Sequence, residues 1–418
     1  MQGIEFTIFC QIQSHSRING KMSSAISSMV LILVFSSAFA VFSDGQLLVN
    51  MTLVRDGPPD ALCLDGSPPA YNFDRGFGEG AANWLLQFEG GGWCNDLPSC
   101  LARSTTYRGS TFHMQKQKIF SGILSSNKTS NPDFFNWNRV KIRYCDGGSF
   151  IGNSIFNNRT HILFFKGLKI WQAIIQDLLP QGLSTAKKAL LSGCSAGGLS
   201  AFLHCDDFAK LLPNTGVKCL SDAGFFLDEM DVSMRFTQRL IFEQLIILHG
   251  AEASLNQNCT GFFGSKCIFP QYSLRFITTP FFVLNAAYDV YQFRHILVPP
   301  SADTRGRWNR CKANISQCDA WQMDILQGFR GDMVRALYGF YKGSERGGAF
   351  VDSCFAHCQS EMQDTWRDSD SPRIGNKWAT GILRGRWLRR LTAPTPLTLR
   401  AVILFLSHKL FLFFGFYY

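Results

Sequence analysis

The feature that most restricts this chain is Gly193-Cys-Ser195-Ala-Gly197, with a strand-length apolar run before it (189–192) and a helical pattern after it (199–212). A serine set between small residues at a strand-to-helix junction sits on a strained turn. Its Oγ stands clear of the sheet, and the next backbone N–H points at the same space. The plainer reading is a glycine-rich turn that only lets helix and strand pack closely. Other strand-length runs also end at turn residues: 82–88 before Glu89-Gly-Gly-Gly92, 139–144 before Asp146-Gly-Gly148, and 280–285 before Asp289. Between them, apolar residues over 167–179 repeat at the helical period. Strands alternating with helices predict an α/β fold of the α/β-hydrolase type, a mostly parallel sheet with helices on both faces. Chemistry in such sheets lies beyond the carboxyl ends of the strands.

A serine acyl-transfer site needs backbone donors for a tetrahedral oxyanion, and glycines let N–H groups turn inward without a clashing Cβ. Gly92, Trp93 and the residue after the nucleophile, Ala196, are the candidate donors; the alternative is a tight structural turn with Trp93 in the core. An orienting acid and a base should follow the serine in that order. His204 falls inside the helix after Ser195, His249 and His295 read as surface or satisfied core histidines, and His408 lies in an atypical tail. His357, after the short run 349–351 and late in the domain, is the favoured base. For the acid, Asp289 directly after a strand is preferred on position, with Asp222 in Leu220-Ser-Asp222-Ala-Gly224 a competitor.

At 418 residues with 46% hydrophobic content, the chain has ample material for a core, and no repeat or low-complexity linker divides 43–372. The formal charge of +10 is uneven: all eight charged residues from Arg373 onward are basic, which leaves the body nearly neutral. A neutral body gives no electrostatic case for nucleic acid. Residues 25–42 carry no charge, contain the apolar run Met29-Val-Leu-Ile-Leu-Val-Phe35, follow Lys21 and include Ala38-Phe-Ala40. That pattern is a secretory signal. Residues 1–40 are therefore expected to be a signal peptide with an extended lead, and translation starting at Met22 would remove that lead. An uncleaved anchor is the alternative. Sequons at Asn50, Asn127, Asn158, Asn258 and Asn314 fit a glycosylated surface. Of 14 cysteines, Cys10 leaves with the signal, and the rest form no C-x-x-C metal knuckles. A disulfide-bonded secreted fold follows. Cys94/Cys100, Cys259/Cys267 and Cys311/Cys318 are close enough to bridge locally. The remaining count is odd, so one cysteine lacks an intramolecular partner.

Several longer stretches then fall into one pattern: Glu89-Gly-Gly-Gly-Trp-Cys-Asn95, Tyr144-Cys-Asp-Gly147, Leu191-Ser-Gly-Cys-Ser-Ala-Gly-Gly198, Cys219-Leu-Ser-Asp-Ala-Gly-Phe-Phe226, Leu284-Asn-Ala-Ala-Tyr-Asp289 and Ala356-His-Cys-Gln359. Cys63-Leu-Asp-Gly-Ser-Pro-Pro-Ala70 and Asn131-Pro-Asp-Phe-Phe-Asn-Trp-Asn-Arg139 fit as well. Together they resemble the plant pectin acetylesterase family, whose animal relative is the Notum lipid deacylase. The resemblance runs in order over 45–372. It implies Ser195 as nucleophile, Asp289 as orienting acid, His357 as general base, and Gly92, Trp93 and Ala196 as the oxyanion hole. The implied substrate is acetylated galacturonan of cell-wall pectin, with no metal or organic cofactor, and a monomer is expected.

The domain division that follows is 1–40 signal, 41–372 esterase, and 373–418 a basic then apolar tail. Family members usually continue past Pro372 through a helix and a cysteine-bearing segment, whereas this tail has no cysteine. A lost C-terminal partner would leave a free thiol, with Cys358 beside His357 the first candidate. A membrane contact is expected only if the apolar tail inserts. The alternatives to a pectin acetylesterase are a long-chain acyl deacylase of the Notum type, an impaired wall-binding relative and, least favoured, a serine peptidase.

Overall fold

The computed structural model describes residues 47–341, 347–367 and 371, with backbone placement alone at 373–374, 377–378 and 402–404. The expected signal segment, Met22 and nearly all of the tail lie outside the described residues. Among those described, no helix is long and apolar enough to cross a membrane.

Alternation within the strands fixes how the layers stack. In β3 (Asn83–Phe88), Trp84, Leu86 and Phe88 join one buried cluster while Leu85 joins another on the opposite side. The same switch occurs in β8 (Lys188–Cys194), β9 (Gly216–Asp222), β10 (Phe281–Ala286) and β11 (Gly347–Asp352), where Leu191, Cys219, Val283 and Val351 face one cluster and Leu190, Leu220, Leu284 and Phe350 the other. Side chains two residues apart share a face of a strand. Strands apolar on both faces must be covered on both sides.

Those five strands and β5 (Asn138–Ile142) are parallel, in the order β11-β10-β9-β8-β3-β5. The sheet continues antiparallel through β2 (Ala70–Asp74), β1 (Leu47–Leu53) and β4 (Gln117–Phe120), and on the other edge through β14 (Val402–Leu404). Beside it lie a hairpin of β6 (Ser154–Asn157) with β7 (Ile162–Phe165), and a short pairing of β12 (Arg373–Ile374) with β13 (Lys377–Trp378). The helices α1 (Leu97–Ser104), α2 (Gly167–Leu178), α3 (Ala196–Leu211), α4 (Thr237–His249) and α5 (Ala320–Tyr341) supply most of the cover. The larger cluster takes Ile170 and Ile174 of α2, Leu199 and Phe202 of α3, Phe242 of α4 and Met333 of α5. The smaller one is closed by short pieces instead: Ile123, Leu124, Phe134, Trp137 and, from a four-residue helix, Trp366.

Six disulfides tie this frame: Cys63–Cys145, Cys94–Cys100, Cys194–Cys358, Cys205–Cys219, Cys259–Cys267 and Cys311–Cys318. All three local pairs expected from spacing are present. Cys358 is not the odd cysteine, contrary to the expectation. The fold brings it against the residue before Ser195, a contact between positions 164 apart that no local spacing announces. Among the described cysteines, Cys354 is the one outside these bridges.

Close packing of α3 on β8 and β3 depends on two glycines. A Cβ on Gly193 would overlap the carbonyl oxygen of Gly197, and one on Gly197 would press on the carbonyl of Phe88. Gly193→Ala should therefore lower unfolding stability by more than about 2 kcal/mol, since a clash with backbone cannot be relieved by a rotamer change. Gly328→Ala, exposed in the middle of α5 with open space around it, should stabilise by about 0.5–1 kcal/mol through helix propensity. Denaturant unfolding of the two variants checks both signs.

Candidate active site

Ser195 lies at the carboxyl end of β8, on the turn into α3. Its backbone sits at φ 58°, ψ −127°, a conformation that side chains avoid and that costs of order 1–3 kcal/mol. Its N–H donates to Asp222 O at 2.9 Å, and its carbonyl accepts from Leu199 N at 2.9 Å, so both sides of the strained residue are anchored. Ala196 is the first residue of α3, where backbone N–H groups have no partner within the helix.

The second loop, after β3, presses on this turn: a Cβ on Gly90 would come within 2.9 Å of Ser195 Cβ. Its carbonyls are tied on the far side. Arg103 Nη2 donates to Gly91 O at 2.9 Å and to Gly92 O at 3.4 Å, and Tyr144 Oη donates to Gly92 O at 2.8 Å. In a trans peptide the N–H points opposite its carbonyl. The N–H groups of Gly92 and Trp93 are thereby turned away from Arg103. Ser149 links the two halves, since its Oγ accepts from Trp93 Nε1 at 2.7 Å and donates to Ala196 O at 2.9 Å.

His357 sits on the loop after β11, its Nδ1 2.8 Å from Asp289 Oδ2. Asp289, buried, caps the short turn after β10 by accepting from Gln292 N at 2.9 Å. Burial alone would push the His357 pKa down; the Asp289 charge and hydrogen bond, with help from Asp222 and Glu361, raise it above the ordinary value. Tyr291 stacks on the imidazole, ring centres 5.4 Å apart, and His295 packs tilted against Tyr291 at 4.4 Å. The Cys194–Cys358 bridge joins the residue before Ser195 to the residue after His357, and a His357 ring nitrogen lies within 4.8 Å of both sulfurs. Because these sulfurs are bridged, they offer no thiolate to a metal, and the same holds for Cys94 and Cys100 beside His249.

The other weighed residues take different places. His204 Nε2 contacts Phe150 O at 3.0 Å in an aromatic setting, and His249 Nε2 contacts Cys94 O at 2.9 Å. Asp222 serves a different part of the loop from the imidazole that Asp289 meets. Its carboxylate accepts from Gln359 N at 3.2 Å and from Ser360 N and Oγ, both at 2.6 Å, holding the segment that follows His357. Sequence reasoning missed Arg103, Ser149 and Tyr291, none of which carries a local spacing signal. Tyr144 and Asp222 stood inside quoted motifs, but without these contacts.

A cavity of about 350 Å³ adjoins the site, lined in part by Trp93, Tyr291, Asn95, Gln238, His295 and Ser301. Burial, with Arg294 and Lys312 nearby, lowers the His295 pKa, so the mixed polar, aromatic and aliphatic lining is uncharged near neutral pH.

A family model described as pectinacetylesterase matches residues 42–392. The chain is 50% identical over 321 residues to pectin acetylesterase 5 of Arabidopsis thaliana, covering 76% of this chain and 75% of that one. It is 45% identical over 386 residues to pectin acetylesterase 7 of the same plant, covering 90% and 96%. To the palmitoleoyl-protein carboxylesterase NOTUM of Mus musculus it is 38% identical over 173 residues, 40% of this chain and 34% of that one. Among solved structures, the Wnt deacylase Notum from Drosophila aligns with a TM-score of 0.65 over 76% of this chain and 88% of that one, at 22% identity. That likeness is one of fold.

The two aspartates should separate experimentally. Asp289→Asn should cut ester turnover on the order of 10³-fold or more, as loss of the group orienting a catalytic imidazole does. It should also move the acid limb of the pH–rate profile to lower pH, because the charge that raises the His357 pKa is gone. Asp222→Asn should act first on stability, by at least about 1 kcal/mol, since an amide cannot accept all three of these hydrogen bonds. Burial pushes the Asp222 carboxyl up to about 7 against those donors, above an unfolded value of about 3.9. The folded state thus binds more protons between these values, and this group's contribution to stability falls as pH rises toward 7. Thermal melts across pH 5–8 should show that component in the wild type and not in Asp222→Asn.

Proposed function

Since the chain belongs to the pectinacetylesterase family, we propose that it is a carboxylesterase that removes acetyl groups from pectin through an acyl-enzyme on Ser195. The observation that carries this reading is the assembly, from three separate loops, of a strained serine, an aspartate-oriented histidine and a carbonyl-tethered glycine loop.

His357 takes the Ser195 proton as Oγ attacks the acetyl carbonyl, and Asp289 holds the imidazole tautomer and stabilises the imidazolium. The N–H groups of Gly92, Trp93 and Ala196 receive the oxyanion, fixed in advance by Arg103, Tyr144, Ser149 and the start of α3. The imidazolium protonates the departing sugar oxygen. Water, activated by the same histidine, then releases acetate. The raised His357 pKa is suited to this exchange, because a base near the working pH both takes and returns the proton readily.

The adjoining cavity favours a sugar ester over a long acyl chain. Asn95, Thr237, Gln238 and Ser301 offer hydroxyl partners and interrupt the apolar faces of Trp93, Tyr291, Ile241, Pro299 and Pro300, whereas an acyl tail needs a continuous apolar wall. Export to the cell wall fits the six disulfides and the sequons. Asn50, Asn158, Asn258 and Asn314 are exposed and Asn127 is half-buried, which makes the first four the better acceptors.

The test is acetate released from acetylated pectin, beside hydrolysis of acetyl and long-chain 4-nitrophenyl esters. Wild-type protein should release acetate and prefer the acetyl ester. Ser195→Ala should lose several orders of magnitude in turnover with an unchanged melting curve. A variant keeping more than about a tenth of wild-type activity removes Ser195 from the mechanism. Preference for the long-chain ester would move the reading to a lipid deacylase.

A further inference from the structure

Two arginines lie against the glycine loop, and they differ in how they are used. Arg103 is built in: Nη2 holds the carbonyls of Gly91 and Gly92, Nε donates to Arg108 O at 3.2 Å, and the guanidinium lies 5.1 Å from the centre of the Tyr144 ring. Buried Asp146 feels its charge. Arg108 is exposed, its guanidinium 5.4 Å from the centre of the Tyr107 ring, and among the described residues it forms no ion pair and donates to no protein oxygen. Its position is nevertheless fixed. A Cβ on Gly91 would be 3.4 Å from Arg108 Cδ, so the stem lies across the loop, and Arg103 grips the carbonyl of Arg108 itself. The Arg108 charge reaches Tyr291, whose hydroxyl would be 3.7 Å from a Cβ on Gly92 and whose ring covers His357. A cation with an aromatic neighbour but no carboxylate partner among the described residues thus stands at the rim of the proposed oxyanion loop, while the adjoining cavity has no charged lining at neutral pH.

We propose that Arg108 binds the carboxylate of a uronate residue neighbouring the acetylated sugar, and so sets the preference for an anionic polysaccharide. This rests on the pectin reading above and adds to it the group that reads the polymer's charge. A guanidinium offers paired N–H donors in the plane that a carboxylate accepts bidentately. A tethered stem lowers the ordering cost of that contact. An exposed pair contributes modestly and is screened by salt, so its signature belongs in KM and in ionic strength.

The experiment uses the full chain and two forms of one acetylated galacturonan oligomer, with carboxylates free or methyl-esterified, so that only charge differs. Arg108→Gln should raise KM for the free-acid form by about fivefold, the size an exposed pair supplies, with a much smaller rise for the methyl ester. Arg108→Lys should recover part of the difference, and about 0.5 M salt, where the Debye length falls to a few ångströms, should erase it in the wild type. Equal KM changes on both forms, or none on either, overturn the assignment of Arg108 and leave the pectin reading standing. Wild-type protein that hydrolyses 4-nitrophenyl acetate but releases acetate from neither oligomer overturns the pectin reading, and this inference with it.

Discussion

Asp222 is the residue on which the site's geometry turns. Its carbonyl holds the N–H of Ser195 in an unfavourable backbone conformation, and its buried carboxylate gathers Gln359 and Ser360, just past His357. One residue at the end of β9 thus sets the separation between the proposed nucleophile and the loop bearing the proposed base. The Cys194–Cys358 bridge spans the same gap covalently, joining the residue before Ser195 to the residue after His357. A strained serine persists only where its surroundings over-determine it, and here a hydrogen bond, a disulfide and two glycine contacts all do so.

The glycine loop is held by charge. Glu89, at its root, is largely but not fully buried, its side chain 12% exposed, and is ionised. Burial would raise its pKa, but Arg143, Lys118 and Lys141 overcome this and bring it to about 2. Its carboxylate meets Lys118 at 3.0 Å and Arg143 at 2.9 Å, and also accepts from Tyr144 N at 3.2 Å. Lys141, two residues before Arg143, pairs with Glu361 beyond His357. A buried charge left without its partner is costly, so this network ties both loops to the same sheet. Arg103 and Tyr144 then hold the loop's carbonyls, which leaves its N–H groups turned toward the side of the proposed oxyanion.

Much of the frame was legible in the chain. The runs before Gly193, Asp146, Glu89 and Asp289 became β8, β5, β3 and β10, because an apolar strand closed by glycine or aspartate is a local pattern that burial on both faces favours. The elbow was legible for the same reason. Less visible was which residues close the second face, where Phe134, Trp137 and Trp366 pack. Their segments are short and irregular and show no periodicity.

What the sequence determined by itself is the set of parts: the Gly193–Gly197 turn, the glycine loop, the late histidine, the two competing aspartates and the three nearby cysteine pairs. Each is encoded within a few residues, by sterics or by spacing. Only the tertiary structure decided which aspartate meets His357, that Cys358 reaches Cys194, and that Arg103, Ser149 and Tyr291 belong to the site. Asp289 and His357 are 68 residues apart, and Cys194 and Cys358 are 164 apart. Such contacts follow from the order in which parallel strands stand side by side, a property of the assembled sheet that no single segment carries.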